Sequence, residues 1–590
     1  MASKLKYNED AAALTWEILN NEQDIGKWEL LYKDNLIEGK GFKEFISAAT
    51  QLSNSINVIY VKYLRYFVRV SLNFINYSNK KFFVNTEYNF YYIFCADNVE
   101  LRNWDNFWDK IDDKEEFLKR LETCREHFRK GLVNKLSISS HYRFTLARDQ
   151  WEDMKYTYFL KTRGSKNLCE ELAPQDFEEY DIMCRLFKSS FYFSNPKFHG
   201  KRAIKVHQYD IHSSHIGLMA RKKYPYEKFT KTEDIEEIRK IIKEKYYCWY
   251  SCICFKKLQY RNPDDEFRID LRNFGYPIPE YQCSWELYLT NVDMEWFSKL
   301  FTWEAISIPV LYYTRHKELV KIDKSYGDMI DSLYRIKAAQ KKGTFAKEIS
   351  KFRAELPYGQ PGKSVEYYGE IVYNEDNNSF ELSDKEEEDM PFDEIKNKIK
   401  YRGLPRYWTL WTAAYSRAEF YLMIDRIGFD KVIYGDTDSV KFIGDEGIKI
   451  IENYNKTIDK EFEEIEKKSK IKFHPELGRW GNEGDLACFK AIAIKWYITL
   501  DMENNYDVKA AGANIEAIKE WFKTVNFPIE KFKFSAKIPN VRLMVKEDIK
   551  KNTVEFKYLN KVGEDFKKEI FKRQQTTTLF YFNPYEKEED

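Results

Sequence analysis

The sequence predicts an α+β protein built of several subdomains. Three observations carry that expectation. The chain has 590 residues, enough for more than one hydrophobic core. Its first 190 residues alternate short aromatic runs of β-formers, such as Val58-Ile59-Tyr60-Val61, with charged helical patterns such as Lys114 to Lys130. Further on, Val432-Ile433-Tyr434-Gly435-Asp436-Thr437-Asp438-Ser439-Val440 reads as two strands joined by a tight polar turn.

The remaining elements follow in order. Residues 200–300 hold further strands, one of them ending at Asp210. Residues 301–350 look helical and increasingly basic. Residues 374–398 contain Asp384-Lys385-Glu386-Glu387-Glu388-Asp389, a polar insertion expected to form a hairpin or loop. A helix rich in Trp, Tyr and Ala covers 405–425 and leads into the Asp-Thr-Asp turn; a charged helix covers Ile448 to Lys472. The last ~90 residues mix strand and helix, and no internal repeat is evident.

Composition narrows the class. Lys+Arg total 96 against Asp+Glu 95, a net charge of +1, so any anionic partner must meet a segregated patch. Tyr 43, Phe 43 and Trp 14 supply core and, on exposed faces, stacking surface. Cys248, Cys252 and Cys254 lie in one buried-strand pattern with no second ligand pair, which argues against a zinc site and for reduced thiols. No stretch of ~18 uncharged apolar residues occurs, so no membrane span is expected, and the N-terminus has no signal-peptide core.

Four segments carry chemistry. In the turn, Asp436 and Asp438 concentrate negative charge that needs a cation, and oxygen-only ligation suits Mg²⁺. In Val206-His207-Gln208-Tyr209-Asp210-Ile211-His212-Ser213-Ser214-His215-Ile216 a strand ends in an aspartate and turns into a helix; alone it reads more readily as an ordinary strand end. In Lys351-Phe352-Arg353-Ala354-Glu355-Leu356-Pro357-Tyr358-Gly359 a basic helix, with Lys347 one turn earlier and Lys337 further up, suits a triphosphate or merely a solvated face. Finally Ile494-Lys495-Trp496-Tyr497 places Lys495 and Tyr497 on one face of an expected strand.

In this order the four segments resemble motif A, motif B, motif C and the Lys-x-Tyr motif of family B DNA polymerases, and specifically the small protein-primed enzymes of tailed phages. Leu289-Thr290-Asn291-Val292-Asp293, Thr412-Ala413-Ala414-Tyr415-Ser416-Arg417 and Val508-Lys509-Ala510-Ala511-Gly512 resemble connecting stretches of the same family. The resemblance covers roughly residues 190–545. It implies a right-hand fold of palm, fingers and thumb behind an RNase H-like exonuclease domain. The implied layout is an exonuclease-like domain 1–190, palm with motif A 191–300, a first terminal-protein insertion and the start of the fingers 301–345, fingers 346–362, a second, acidic insertion 363–405, palm 406–505, and thumb with tail 506–590.

The resemblance also implies roles. Asp210, Asp436 and Asp438 become the catalytic carboxylates, holding two Mg²⁺, with Mn²⁺ as a substitute. Lys351, Lys347, Lys337, Ser213, His215, Glu355 and Tyr358 fall at the nucleotide; Lys495, Tyr497, Tyr434, Thr437 and Arg417 fall at primer or DNA. Implied partners are primer–template or single-stranded DNA, dNTPs and a terminal priming protein, in a bacterial host cytoplasm and away from membranes. The oligomeric state is left open.

Three departures from the family pattern qualify this. Ser214-His215-Ile216 stands where Leu-Tyr-Pro is usual, which puts sugar selection in doubt. Glu355-Leu356 stands where Asn-Ser is usual, which puts accurate templating in doubt. The exonuclease acids would fall near Asn8-Glu9-Asp10, Tyr66 and Met183, so a degenerate domain without proofreading is expected. The alternatives are a polymerase-derived nucleotidyltransferase with template-independent or defence-related synthesis, and a catalytically silent DNA-binding scaffold, which the intact acids disfavour.

Overall fold

In a computed structural model, the structure describes residues 168–261, 284–363 and 391–510 almost throughout, much of 11–62 and 99–131, and shorter pieces elsewhere. The chain divides into two compact units: Met1–Ala173 with Arg335–Pro405, and Pro174–Tyr334 with Arg406–Asp590. Helix Phe345–Gly362, with its basic residues, lies in the first of these units.

The first unit is built on a seven-stranded sheet. Ala11–Ile18, Ile25–Tyr32 and Asn35–Lys40 form an antiparallel meander. Ala11–Ile18 then runs parallel to Val58–Val61, which runs parallel to Val99–Asn103. Parallel strands need both faces covered, and the uninterrupted run Ala11-Ala12-Ala13-Leu14 meets that need. Ala12 and Leu14 face Phe42, Phe45 and Ala49 of helix Gly41–Leu52; Ala11 and Ala13 belong to a second cluster with Trp104, Phe117 and Leu121. Ile349, from helix Phe345–Gly362, completes that second cluster.

Helix Phe345–Gly362 starts at Thr344, whose side chain accepts from the Lys347 amide. Residues 301–350 differ from the helical expectation. Phe301–Thr302, Ala305–Ser307 and Leu311–Glu318 are strands, and helices begin only at Leu319. The aromatic, β-branched run around Tyr312 outweighs the basic residues that follow it. Lys337 also sits on a separate helix, Lys324–Ala338, parted from Lys347 by a turn in which Gly343 has φ +81. Asp384 to Asp389 lie outside the described residues; Ile371–Asn374 and Ser379–Leu382 before them pair as a hairpin.

The second unit carries an eight-stranded antiparallel sheet. In spatial order it runs Tyr506–Ala510, Trp496–Asp501, Leu486–Ala493, Ala203–Ile211, Ser439–Ile443, Val432–Asp436 and Tyr192–Ser194, with Trp480–Asn482 also on the Ala203–Ile211 strand. One face packs on helices. Gly435 is a glycine because a Cβ there would lie 2.5 Å from the Phe420 ring of helix Arg406–Ile427. That helix is buried on nearly every side, so its sequence shows no polar stripe. A further sheet, centred on Tyr247–Lys256, Ser284–Thr290 and Leu311–Glu318, packs its aromatics into the same unit. Cys248, in its first strand, is a buried free thiol.

Candidate active site

Sheet register places the acids. Ser439 pairs with Asp436 on one side and with Asp210 on the other. Directly paired residues share a face, so Tyr192, Asp436, Ser439, Asp210 and Gly481 form one row across five strands. At about 4.8 Å per strand, the Asp436 and Asp210 backbones stand about 10 Å apart, on one face of the sheet with a serine between them. Asp438 occupies the turn, where its carbonyl accepts the Ile211 amide at 2.9 Å and so abuts the residue after Asp210.

The turn itself is tight. The Asp438 amide donates to the Asp436 carbonyl at 2.6 Å across Thr437, whose φ is +59. This is the uncommon γ-turn geometry with a β-branched residue at its centre, a strained arrangement of the kind that clusters at functional sites. The Thr437 hydroxyl donates to Asp436 Oδ1 at 3.0 Å and its amide to the Phe191 carbonyl at 2.9 Å. Thr437 thus braces an acid.

After Asp210 the chain turns through Ser213, at φ +55, into helix Ser214–Arg221. The Ile211 and His212 amides are engaged by the Asp438 and Arg479 carbonyls. Helix Ser214–Arg221 begins directly after them, with no side-chain cap at Ser213. Gly217 lets this helix touch the backbone at Gly478; a Cβ on it would lie 2.6 Å from the Gly478 Cα. At its far end the buried Arg221 donates to Glu461 at 2.7 Å and to Glu419 at 2.5 Å. The cations beside Glu419 overcome its burial and hold its carboxyl down at about 2. His215, on the first turn, is pushed down to about 4 by burial and is neutral near neutral pH.

Lys495 lies in a hairpin turn at φ +60, and not within a strand as expected. Its ammonium donates to the Tyr192 hydroxyl at 2.9 Å and its amide to the Tyr434 hydroxyl at 3.0 Å. The Tyr192 bond, with help from Asp436, raises the Lys495 pKa. Tyr497 packs its ring 5.1 Å from Tyr434 and 5.2 Å from Phe489, and burial pushes its hydroxyl up to about 12. The structure therefore brings Asp210, Asp436, Asp438, Thr437, Tyr434, Lys495 and Tyr497 together.

Two expected contacts change role. Tyr434 is 1% exposed and holds the Lys495 turn, so it supports the site from below. Arg417 is fully buried; its guanidinium grips Asp293 at 2.9 and 3.1 Å and donates to the Lys188 carbonyl. Asp293 is in turn the capping-box acid of helix Asn291–Leu300. Arg417 is a buried structural pair, not a surface for DNA. Sequence reading missed it because Thr-Ala-Ala-Tyr-Ser-Arg has no feature that separates a buried arginine from an exposed one.

Lys337, Lys347, Lys351, Glu355 and Tyr358 belong to the other unit. There the Lys347 ammonium caps the preceding helix by donating to the Lys337 carbonyl at 2.7 Å. Glu355 reaches solvent, yet surrounding protein raises its pKa, against the pull of Lys351 and Lys337. Of the expected exonuclease positions, Asn8, Glu9, Asp10 and Tyr66 lie outside the described residues, and Met183 is buried on helix Phe177–Leu186 of the second unit.

Two residues escaped the sequence reading. Tyr192 stands beside Asp436 and holds Lys495. Lys441, two residues beyond Ser439 on the same strand face, is 4% exposed. Burial pushes it down to about 8, although Asp210 and Asp436 pull it up. The alternation Ser439-Val440-Lys441 was the available signal.

Among the described residues no three His, Cys, Asp or Glu side chains converge into a complete metal cage. The arrangement still fits Mg²⁺, which is commonly held by one or two carboxylates with substrate phosphates and water completing its shell. The donors are all hard oxygens, and Asp436 and Asp210 share one face of the sheet. Nor, among the described residues, is any helix long and apolar enough to cross a membrane.

No family model matches the chain. It is 22% identical over 276 residues to the DNA polymerase of Streptococcus phage Cp-1, a match spanning 46% of this chain and 42% of that relative's length. Among solved structures it resembles Phi29 DNA polymerase complexed with primer-template DNA (TM-score 0.63, 15% identity, 90% of this chain and 96% of that one). It also resembles that polymerase in a ternary complex with incoming nucleotide (TM-score 0.62, 15% identity, 90% and 95%) and with single-stranded DNA (TM-score 0.61, 14% identity, 91% and 96%). The chain thus has the mixed α+β fold of Phi29 DNA polymerase over 90% of its length.

Proposed function

We propose that this chain is a family B DNA polymerase that joins dNTPs to a primer hydroxyl. The observation that carries the reading is the single row in which Asp436 and Asp210 flank Ser439, with Asp438 at the turn above them. The relatives named above are DNA polymerases, and the fold agrees.

Asp210 and Asp438, with Asp436, are the residues that would hold Mg²⁺; bound there, the ions would activate the primer hydroxyl and stabilise the departing pyrophosphate. The protein's own part is orientation. Lys495, fixed by Tyr192 and Tyr434, is poised to steer the primer terminus, with Tyr497 packed on the Tyr434 ring beside it. The N-terminus of helix Ser214–Arg221 offers amides to phosphate, with neutral His215 on its first turn as the residue under the sugar. The family resemblance assigns triphosphate charge to Lys351, Lys347 and Lys337 as well; of these the Lys347 ammonium already donates to the Lys337 carbonyl.

Priming by a terminal protein and loss of proofreading belong to the same proposal. They rest on the family resemblance and on the sequence at Asn8, Tyr66 and Met183. A second reading, template-independent synthesis, draws on the raised Glu355 carboxyl where the family has an amide.

Primer extension with labelled dNTPs and rNTPs, with and without template, tests the whole. Extension that needs template and is abolished by Asp438→Ala is expected. Incorporation surviving Asp438→Ala overturns the assignment of the acids. Mg²⁺-dependent trimming of a 3′-mismatched primer overturns the loss of proofreading.

A further inference from the structure

Lys441 has no part in the chemistry described so far, yet its position is costly. An ammonium is among the most expensive groups to bury, and lysine is almost never buried without a compensating partner. Here the residue is 4% exposed. Sheet register fixes its surroundings. It pairs with Tyr434 on one side and Gln208 on the other, one step down the strands from the row Asp436, Ser439, Asp210 and on the same face. Its ammonium lies 5.2 Å from the Tyr497 ring centroid, 5.5 Å from Tyr434 and 5.8 Å from Phe489. Three rings wall it from solvent on the lower side and offer their faces to the cation.

Burial works against its charge, and Asp210 and Asp436, on the same face of the sheet, are the anions that favour it; Lys509 works with burial. A lysine serving only to fill this space would be replaced without loss by methionine, which has the same reach and no desolvation penalty. What the charge supplies is a counter-ion for two carboxylates that share one sheet face on either side of a serine.

We propose that Lys441 is a built-in counter-cation of the carboxylate row, holding Asp210 and Asp436 in place in the metal-free protein and weakening divalent-ion binding until substrate phosphate arrives. The inference rests on the reading of Asp210, Asp436 and Asp438 as the ion-holding acids. Its physical basis is direct. A fixed positive charge one residue pair away on the same sheet face repels a dication bound between the acids, and the repulsion is weakly screened where water is excluded. With the lysine in place, the acids need no ion to relieve their mutual repulsion. Added substrate phosphates bring the negative charge that restores ion affinity.

The test uses Mn²⁺ binding to the full-length, nucleotide-free protein near neutral pH, read by the EPR signal of free Mn²⁺, with the thermal midpoint measured with and without the ion. Lys441→Met is expected to bind Mn²⁺ about tenfold tighter or more than the parent. Its midpoint should fall without the ion and rise more steeply with it, because an ion that binds only the folded state stabilises by mass action. Lys441→Arg, which keeps the charge, should behave as the parent does. Unchanged or weaker Mn²⁺ binding by a folded Lys441→Met protein overturns the proposal. So does a fold lost in Lys441→Met and Lys441→Gln alike and not recovered by Mn²⁺, which would assign the residue to packing alone. Asp438→Ala separates the two levels of the argument. If it leaves Mn²⁺ binding untouched, the reading of the acids has failed; if it abolishes binding while Lys441→Met binds no tighter, only the lysine's role has failed.

Discussion

Lys495 is held at both ends by tyrosines: its ammonium donates to the Tyr192 hydroxyl at 2.9 Å, and its amide to the Tyr434 hydroxyl at 3.0 Å. Tyr192 pairs with Asp436, so the residue that fixes the lysine also flanks an acid. Tyr192→Phe removes the hydrogen bond but keeps the ring, over which the ammonium sits 4.2 Å from the centroid. A hydrogen bond to a charged group contributes about 1.5–3 kcal/mol. Extension assays should show kcat/KM for the primer terminus falling by about tenfold or more, with the thermal midpoint lowered only slightly in a chain this large. An unaltered kcat/KM would remove Lys495 from the primer site.

Arg417 and Asp293 form a pair with side chains 1% and 2% exposed. Removing one partner strands the other charge, and such a break costs about 3–5 kcal/mol. Arg417→Met should lower stability by that order in chemical denaturation. Whatever folded protein remains should bind single-stranded DNA with parental affinity and salt dependence, because Arg417 does not reach the surface. A DNA-binding defect in stably folded Arg417→Met would return the residue to the DNA interface.

The same contrast shows what the sequence could and could not reveal. Val58–Val61, helix Lys114–Gly131 and the hairpin at Asp436 were legible because strand alternation, helical amphipathicity and turn chemistry are local signals. The acids were legible as a set because their order and neighbours resemble a family. Tyr192, Lys441 and the Arg417–Asp293 pair were not, since each acquires meaning only from strand register or from a partner over 100 residues away. The strands of 301–318 were misread for another reason: a short run of tyrosines followed by lysines satisfies helix and strand patterns equally until its pairing with Tyr247–Lys256 is known.

Glu179 offers a pH test. Its buried carboxyl accepts from the Tyr250 hydroxyl at 2.9 Å, the Tyr407 hydroxyl at 2.8 Å and the Gln175 amide at 2.7 Å. Burial raises its pKa above the ordinary carboxylate range, against those hydrogen bonds. The sign follows. A folded pKa above the unfolded one means that the fold binds the proton more tightly, so this group's contribution is full below the unfolded pKa and is lost as pH rises through the folded one. Glu179→Gln keeps an acceptor and never ionises. Its stability, measured by denaturant across mildly acidic to neutral pH, should match the parent at the acid end and exceed it at the neutral end. Parallel curves for the two proteins would mean that Glu179 does not titrate differently on folding.

Gly217 tests how the helix after Asp210 is positioned. A Cβ there would meet the Gly478 Cα at 2.6 Å, backbone against backbone, with no flexible side chain to yield. The Gly478 amide donates to the His212 carbonyl at 2.8 Å, so a shift of either segment pulls on the turn between Asp210 and the helix. Overpacking of this kind costs about 1–3 kcal/mol. Gly217→Ala should therefore lower the thermal midpoint and also raise KM for the incoming nucleotide, because the helix N-terminus proposed to face phosphate moves with the backbone. Gly359→Ala is the control: nothing lies within 4 Å of its Cβ position. As a glycine-to-alanine change inside a helix it should leave stability equal or slightly raised. If Gly217→Ala lost stability but kept the parental KM, the helix N-terminus would not be where the nucleotide's phosphates bind.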